Sequence, residues 1–127
     1  MLKPGYTNLD PDWLAPLRER IATVTPEATV WIEVDSAGYL ALSKIVIPAG
    51  LRRQGVGSRV MRLLVAEADR QAITMVLTPT REFGSGLHRL RGFYRRFGFS
   101  MNGGRIKDYT TAHAMIRRPV TTHTRHA

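Results

Sequence analysis

The chain has 127 residues, 43% of them hydrophobic and 23% charged, the balance of one globular domain rather than a disordered chain. It has no Cys, which excludes a disulfide scaffold, a thiolate metal site and a cysteine nucleophile. No apolar run is long enough to span a membrane and Met1–Gly5 opens no apolar leader, so the expected compartment is the cytoplasm. The formal charge is +9, and it is uneven: residues 1–50 carry 4 basic and 6 acidic side chains, residues 51–127 carry 15 and 4. The second part should attract an anion: a nucleotide-like cofactor, nucleic acid or an acidic protein.

Residues 1–10 read as an irregular arm. Asp10-Pro11 suits a helix start, with Asp as N-cap and Pro at the first helical position; Trp13, Leu14, Leu17 and Ile21 follow at helical spacing. Residues 28–35 alternate and are β-branched, a strand; Ser36-Ala37-Gly38 is a turn, and Tyr39 to Ile47 a second strand of an antiparallel hairpin. After the loop at 49–57, a helix from about Gly57 to Arg70 carries the stripe Val60, Met61, Leu64, Val65 and Ala68. Ile73 to Leu77 reads as a buried parallel strand and 79–86 as a loop. A helix from Leu87 to about Phe97 is closed by Gly98. Phe99 to Arg118 reads as a last hairpin turning near Asn102-Gly103-Gly104. One domain over 1–118 and a disordered tail at 119–127 are expected. Strands alternating with helices after residue 39 argue for a mixed α/β sheet.

Arg52-Arg53-Gln54-Gly55-Val56-Gly57 lies between a strand and a helix. Small residues let backbone N–H groups approach a ligand, the helix N-terminus adds partial positive charge, and the arginines add full charge: a phosphate or pyrophosphate cradle. It is no Walker loop, since Gly57-Ser58-Arg59 lacks the Lys, and it is one Gly short of a dinucleotide fingerprint. Four His residues suggest no metal site: His123 and His126 fall in the expected tail, and no helix carries His at i, i+4.

Thirty-six residues after Gly57 begins Phe93-Tyr94-Arg95-Arg96-Phe97-Gly98-Phe99. Together the two segments resemble the GNAT superfamily of acyl-CoA-dependent N-acetyltransferases. Arg52, Gly55 and Gly57 match its Arg/Gln-x-x-Gly-x-Gly/Ala loop, Val46-Ile47-Pro48 the end of its bulged cofactor strand, and Phe93, Tyr94, Gly98 and Phe99 its later helix. The run at 93–99 and the ending Met115-Ile116-Arg117-Arg118-Pro119 also resemble small phage-borne members. The resemblance implies an α/β (α+β) fold: a mixed, mostly antiparallel sheet with a splayed parallel strand pair flanked by helices, abbreviated at the N-terminus. It implies acetyl-CoA as cosubstrate, its pantetheine arm on the backbone of Ile45, Val46 and Ile47 and its pyrophosphate on the N–H groups of Arg53, Gln54, Gly55, Val56, Gly57 and Ser58, beside Arg52. Ser85 stands in for the Asn many relatives place before the second helix.

The implied reaction is direct attack of an amine on the thioester. Tyr94 matches the acid that protonates the leaving thiolate, a phenol with a pKa of about 10. The base stays open among Glu33, Asp35, His113 and water; Ser43 and Lys44 are candidates for the acceptor channel. A macromolecular amine acceptor suits the short N-terminal half, and the charge excess suggests nucleic acid. Family members often dimerise, which leaves a homodimer open. The rivals are a non-catalytic nucleic-acid-binding module on the same fold and an acyl-CoA-binding protein without turnover.

Overall fold

The computed structural model describes residues 10–80 and 86–120. The expected arm, the 81–85 segment with Ser85, and most of the expected tail lie outside the described residues. The elements are α1 (Leu14–Val24), β1 (Thr29–Val34), β2 (Leu40–Val46), α2 (Val56–Arg70), β3 (Met75–Leu77), α3 (Leu87–Arg95), β4 (Ser100–Met101) and β5 (Met115–Arg117). The strands form one five-stranded sheet in the order β1-β2-β3-β5-β4. Only β2–β3 is parallel; β1–β2, β3–β5 and β5–β4 are antiparallel. This is the mixed α/β architecture the alternation of strands and helices implies.

The helices bury the faces their periodicity marks. Leu14, Leu17 and Ile21 of α1 and Val60, Met61, Leu64 and Ala68 of α2 join Leu40, Leu42, Met75, Leu77 and Met115 of the sheet in one core. Ala41, Val76 and Ile116 form a smaller cluster under Tyr39. Neighbouring residues of β2 thus face opposite sides, as the pleat requires.

Two expected boundaries move. The first helix starts at Leu14, not behind an Asp10 cap: Leu14 N–H donates to the Pro11 carbonyl in a separate turn, Leu17 N–H to that of Trp13, and Asp10 lies 3.7 Å from Arg18. The last hairpin pairs Met101 with Met115, so its connection is a long loop rather than a turn at 102–104. The Asn102 side chain closes that loop: its Nδ2 donates to the Asp108 and His113 carbonyls, and its Oδ1 accepts the Asp108 N–H. An Asn-Gly pair that reads as a hairpin turn is here a cross-loop tie. Asp108, bonded by Thr110 and Tyr39, is held well below the usual carboxylate range.

The end of α2 is closed by Ala72 at φ +56°, with Ile73 N–H donating to Ala68 and Ala72 N–H to Asp69. That is a Schellman motif with Ala where Gly is favoured. Ala72→Gly is expected to stabilise the protein by about 0.5–1 kcal/mol, read as a higher urea midpoint with an unchanged slope.

Candidate functional site

β2 and β3 pair at Leu40/Met75, Ala41/Val76 and Leu42/Leu77 and no further, although β2 runs on to Val46. Beyond Leu42 one edge of β2 is therefore unpaired by its parallel neighbour. A bulge sits at the same point: Trp31 opposes Lys44 while Ile32 opposes Leu42, so Ser43 is the extra residue. The bulge shifts the alternation by one. Leu40 and Leu42 pack on the main core, and after the bulge Ile45 does so, not Lys44, which lies 4.8 Å over the Trp31 ring. The backbone follows suit. Leu40 N–H points to β3, bonding the Thr74 carbonyl, whereas past Ser43 the residues with backbone toward the open edge are Ile45 and Ile47.

A cleft of about 1010 Å³ opens there. Its floor and walls are Leu42 to Ile45 of β2 with Ile47 just past its end, and Leu77 at the end of β3 with Thr78 to Thr80 after it. The loop adds Arg52, Arg53 and Gly55, the start of α2 adds Val56, Gly57 and Ser58, and α3 adds Tyr94. Of the other residues expected here, Val46 and Gln54 do not line the cleft: Val46 pairs with Thr29, and the Gln54 amide bonds the Gly50 carbonyl.

The loop geometry explains its glycines. Gly55 caps α2 at φ +81°, a left-handed conformation; a Cβ there would meet only Arg59, at 4.0 Å, so its requirement is dihedral. Gly57 is tight instead: a Cβ would lie 3.2 Å from Ile47 Cδ1 and 3.5 Å from Phe93 Cζ. Arg53 also has positive φ, +68°, strain of about 1–3 kcal/mol held in the loop. The first intrahelical bond of α2 runs from Arg59 N–H to the Gly55 carbonyl, so the N–H groups of Val56, Gly57 and Ser58 have no acceptor within the helix. With the helix dipole and Arg52 and Arg53 beside them, they suit an anion. Arg52 Nε donates to the Ile47 carbonyl, tying the loop to the end of β2.

Tyr94 is 6% exposed and sits edge-on to Phe93 (5.2 Å) and Phe99 (6.0 Å). Burial pushes its phenol above the ordinary 10.0, so it stays protonated at neutral pH and can donate into the cleft. The candidate bases are separated by the fold. Asp35 Oδ1 accepts the N–H groups of Ala37 and Tyr39, a turn-forming task. Glu33 is an exposed residue of β1, opposite Ala41. His113, placed just before β5 rather than in it, has Nδ1 3.0 Å from Oγ1 of Thr78, a cleft residue that also accepts the Ala114 N–H.

The parts assembled here are an open strand edge, a helix N-terminus with adjoining arginines, and a protonated phenol facing one cleft. The profile of the acetyltransferase (GNAT) family matches residues 15–99, which contain all of them. The chain belongs to the GNAT family. Among solved structures this GNAT chain is similar to a GNAT-family acetyltransferase from Staphylococcus aureus Mu50, at 16% identity over 87% of this chain and 80% of that one, TM-score 0.49. It is similar to Tetrahymena Gcn5 at 13% identity over 92% of each chain, TM-score 0.43. It is similar to Naa20 of Chaetomium thermophilum, solved with a bisubstrate analogue, at 16% identity and TM-score 0.46; the match covers 72% of this chain and 57% of that one. No curated protein matches.

Sequence reasoning missed several residues of the GNAT cleft. Thr78 and Thr80 follow β3 and carried no motif. Arg89 on α3 and Arg96 at its C-cap line it on either side of Phe93, which the later-helix match had named, and their i, i+4, i+7 spacing is a signal that was present in the sequence. Among the described residues no helix is long and apolar enough to cross a membrane, and no three His, Cys, Asp or Glu side chains group as metal ligands.

Proposed function

We propose that this chain moves an acetyl group from acetyl-CoA to a primary amine by direct attack, with residues 1–118 as the working domain. The observation that carries the reading is the coincidence of the β2–β3 parting, the start of α2 and Tyr94 on one cleft. Acetyl-CoA is suited to these residues: its amide-bearing arm to the open edge at Ile45 and Ile47, its pyrophosphate to the N–H groups at 56–58 with Arg52 and Arg53. Val46 and Gln54 lie off the cleft and take no direct part in that binding, and Ser85 is proposed as a further contact in place of the Asn of many relatives.

Tyr94 then supplies the proton for the departing thiolate. Of the candidate bases, the geometry favours His113, taking the amine proton through the Thr78 hydroxyl: the amine gives its proton to Oγ1 as Oγ1 gives its own to Nδ1. The net reaction releases one proton to solvent, as acylation of an ammonium must.

Saturating acetyl-CoA is expected to raise the melting temperature by several degrees, since ligand at a hundred times Kd adds about 2.7 kcal/mol. Gly57→Val, whose side chain would push into Ile47 and the N–H groups, is expected to abolish that shift. Intact-mass detection of acetylation across amines, peptides, tRNA and DNA then identifies the acceptor. Binding without turnover on any amine would leave an acyl-CoA-binding protein; no thermal shift would remove the reading.

A further inference from the structure

Two sets of arginines contrast among the described residues. Arg18, Arg20, Arg59, Arg70, Arg117 and Arg118 each lie within ion-pair distance of a carboxylate. Arg89, Arg91 and Arg95 on α3 and Arg96 at its C-cap have no carboxylate partner among the described residues. The reason lies in the sequence: residues 86–107 hold six basic side chains and no Asp or Glu.

The helix arranges them. Leu90, Tyr94 and Phe97 turn toward the core, which leaves His88, Arg89, Arg91, Arg95 and Arg96 around the opposite arc. Arg89 and Arg96 reach the cleft; Arg91 and Arg95, one turn apart, lie off it. The arc is continuous and arginine-rich; the large apolar side chain that borders it, Phe93, sits at the cleft edge under the Arg96 guanidinium, 5.5 Å from its ring, and packs against the core.

We infer that this outer face of α3 is a binding surface for the phosphodiester backbone of a nucleic acid. A protein partner would call for an apolar or aromatic centre at the contact, and a membrane for an apolar face to insert. Here the apolar side of the helix is spent on the core. What remains is charge alone, supplied by guanidinium forks that match phosphate oxygens two at a time. Arg91 and Arg95 stand about 6 Å apart along the axis, comparable to the through-space separation of neighbouring phosphates on one strand, so they can meet adjacent phosphates. Through Arg89 and Arg96 the surface runs to the mouth of the cleft. The inference does not depend on acetyl transfer, and its test uses neither cofactor nor turnover.

The test is fluorescence anisotropy of a labelled 20-nucleotide RNA and a 20-base-pair DNA with the full chain, from 50 to 200 mM salt, without acetyl-CoA. Four phosphate contacts give a slope of log K against log salt of about −2.8 on a single strand and −3.6 on a duplex. Arg91→Gln with Arg95→Gln is expected to weaken binding tenfold or more and to make the slope shallower by about 1.4 to 1.8. Arg20→Gln with Arg62→Gln removes the same charge from α1 and α2 and should leave the slope near its original value. Melting curves establish that each variant is folded; if the α3 pair is not, Arg95→Gln alone is read in its place, with about half the change in slope. Tight binding of either probe with that contrast supports the surface. No binding at 50 mM salt, equal loss in both doubles, or displacement by polyglutamate as effective as by unlabelled RNA at matched charge would overturn it.

Discussion

Tyr94→Phe is expected to lower kcat for acetyl transfer by about 10²-fold or more while leaving KM for acetyl-CoA near its original value. The ring does the packing, against Phe93 and Phe99, and Phe preserves it; the hydroxyl is the group assigned to the thiolate. The pH profile separates the two tasks. Because burial raises the phenol above 10.0, the acid is protonated below that value and its contribution is lost only as pH climbs through the raised pKa. The variant should lose that alkaline limb along with its rate. Full turnover in Tyr94→Phe would leave the residue a core aromatic.

Asp69→Ala is expected to cost about 3–5 kcal/mol of folding stability, measured by urea unfolding. Asp69 meets Arg117 twice, at 2.8 and 3.0 Å, and accepts the Val120 N–H. The Arg117 side chain is only 7% exposed, and its Nε donates to the Phe97 carbonyl. Removing the carboxylate strands a guanidinium in the interior. Arg117→Met in the same chain should recover much of the loss, because a pair of apolar side chains leaves no charge uncompensated. The same pair sets an acid limit. Burial opposes the charged carboxylate, but the bonds from Arg117 and Val120 outweigh it and hold Asp69 below 3.8. Its stabilisation is therefore complete above 3.8 and fades as pH falls through the lowered folded value. In Asp69→Ala the stability curve should be flatter below pH 4.

Much of the fold was legible because it rests on short-range pattern. The alternation at 28–35 and 39–47 marks β1 and β2, the five-residue stripe on α2 marks its buried face, and Gly98, at φ +98°, closes α3 as a glycine past a helix should. The loop at 52–57 was legible for a different reason: a backbone site writes itself into the sequence as missing side chains. The bulge was there to be read too. In Leu42-Ser43-Lys44-Ile45 two polar residues interrupt a strict alternation, and that phase slip is Ser43. What stayed hidden depends on partners far apart in the chain. Asp69 finds Arg117 across 48 positions, and Thr78 finds His113 across 35. No local spacing announces such pairs. The division of the arginines into matched and unmatched groups likewise needs the folded chain, since composition counts the charges without saying which are already answered.

Ser43 has a consequence for how this molecule can change. Up to Leu42 the strand is in step with β3; after it the strand parts from β3 and lines the cleft. Gaining or losing one residue in the short span between Leu42 and Val46 would exchange inward for outward atoms along the whole mouth, while the same event at Ser36–Gly38 would merely resize an exposed bend. Sequence drift is thus cheap at one end of the hairpin and ruinous at the other, and the length of the chain between Leu42 and the loop at 52–57 is as much a part of the site as any side chain in it.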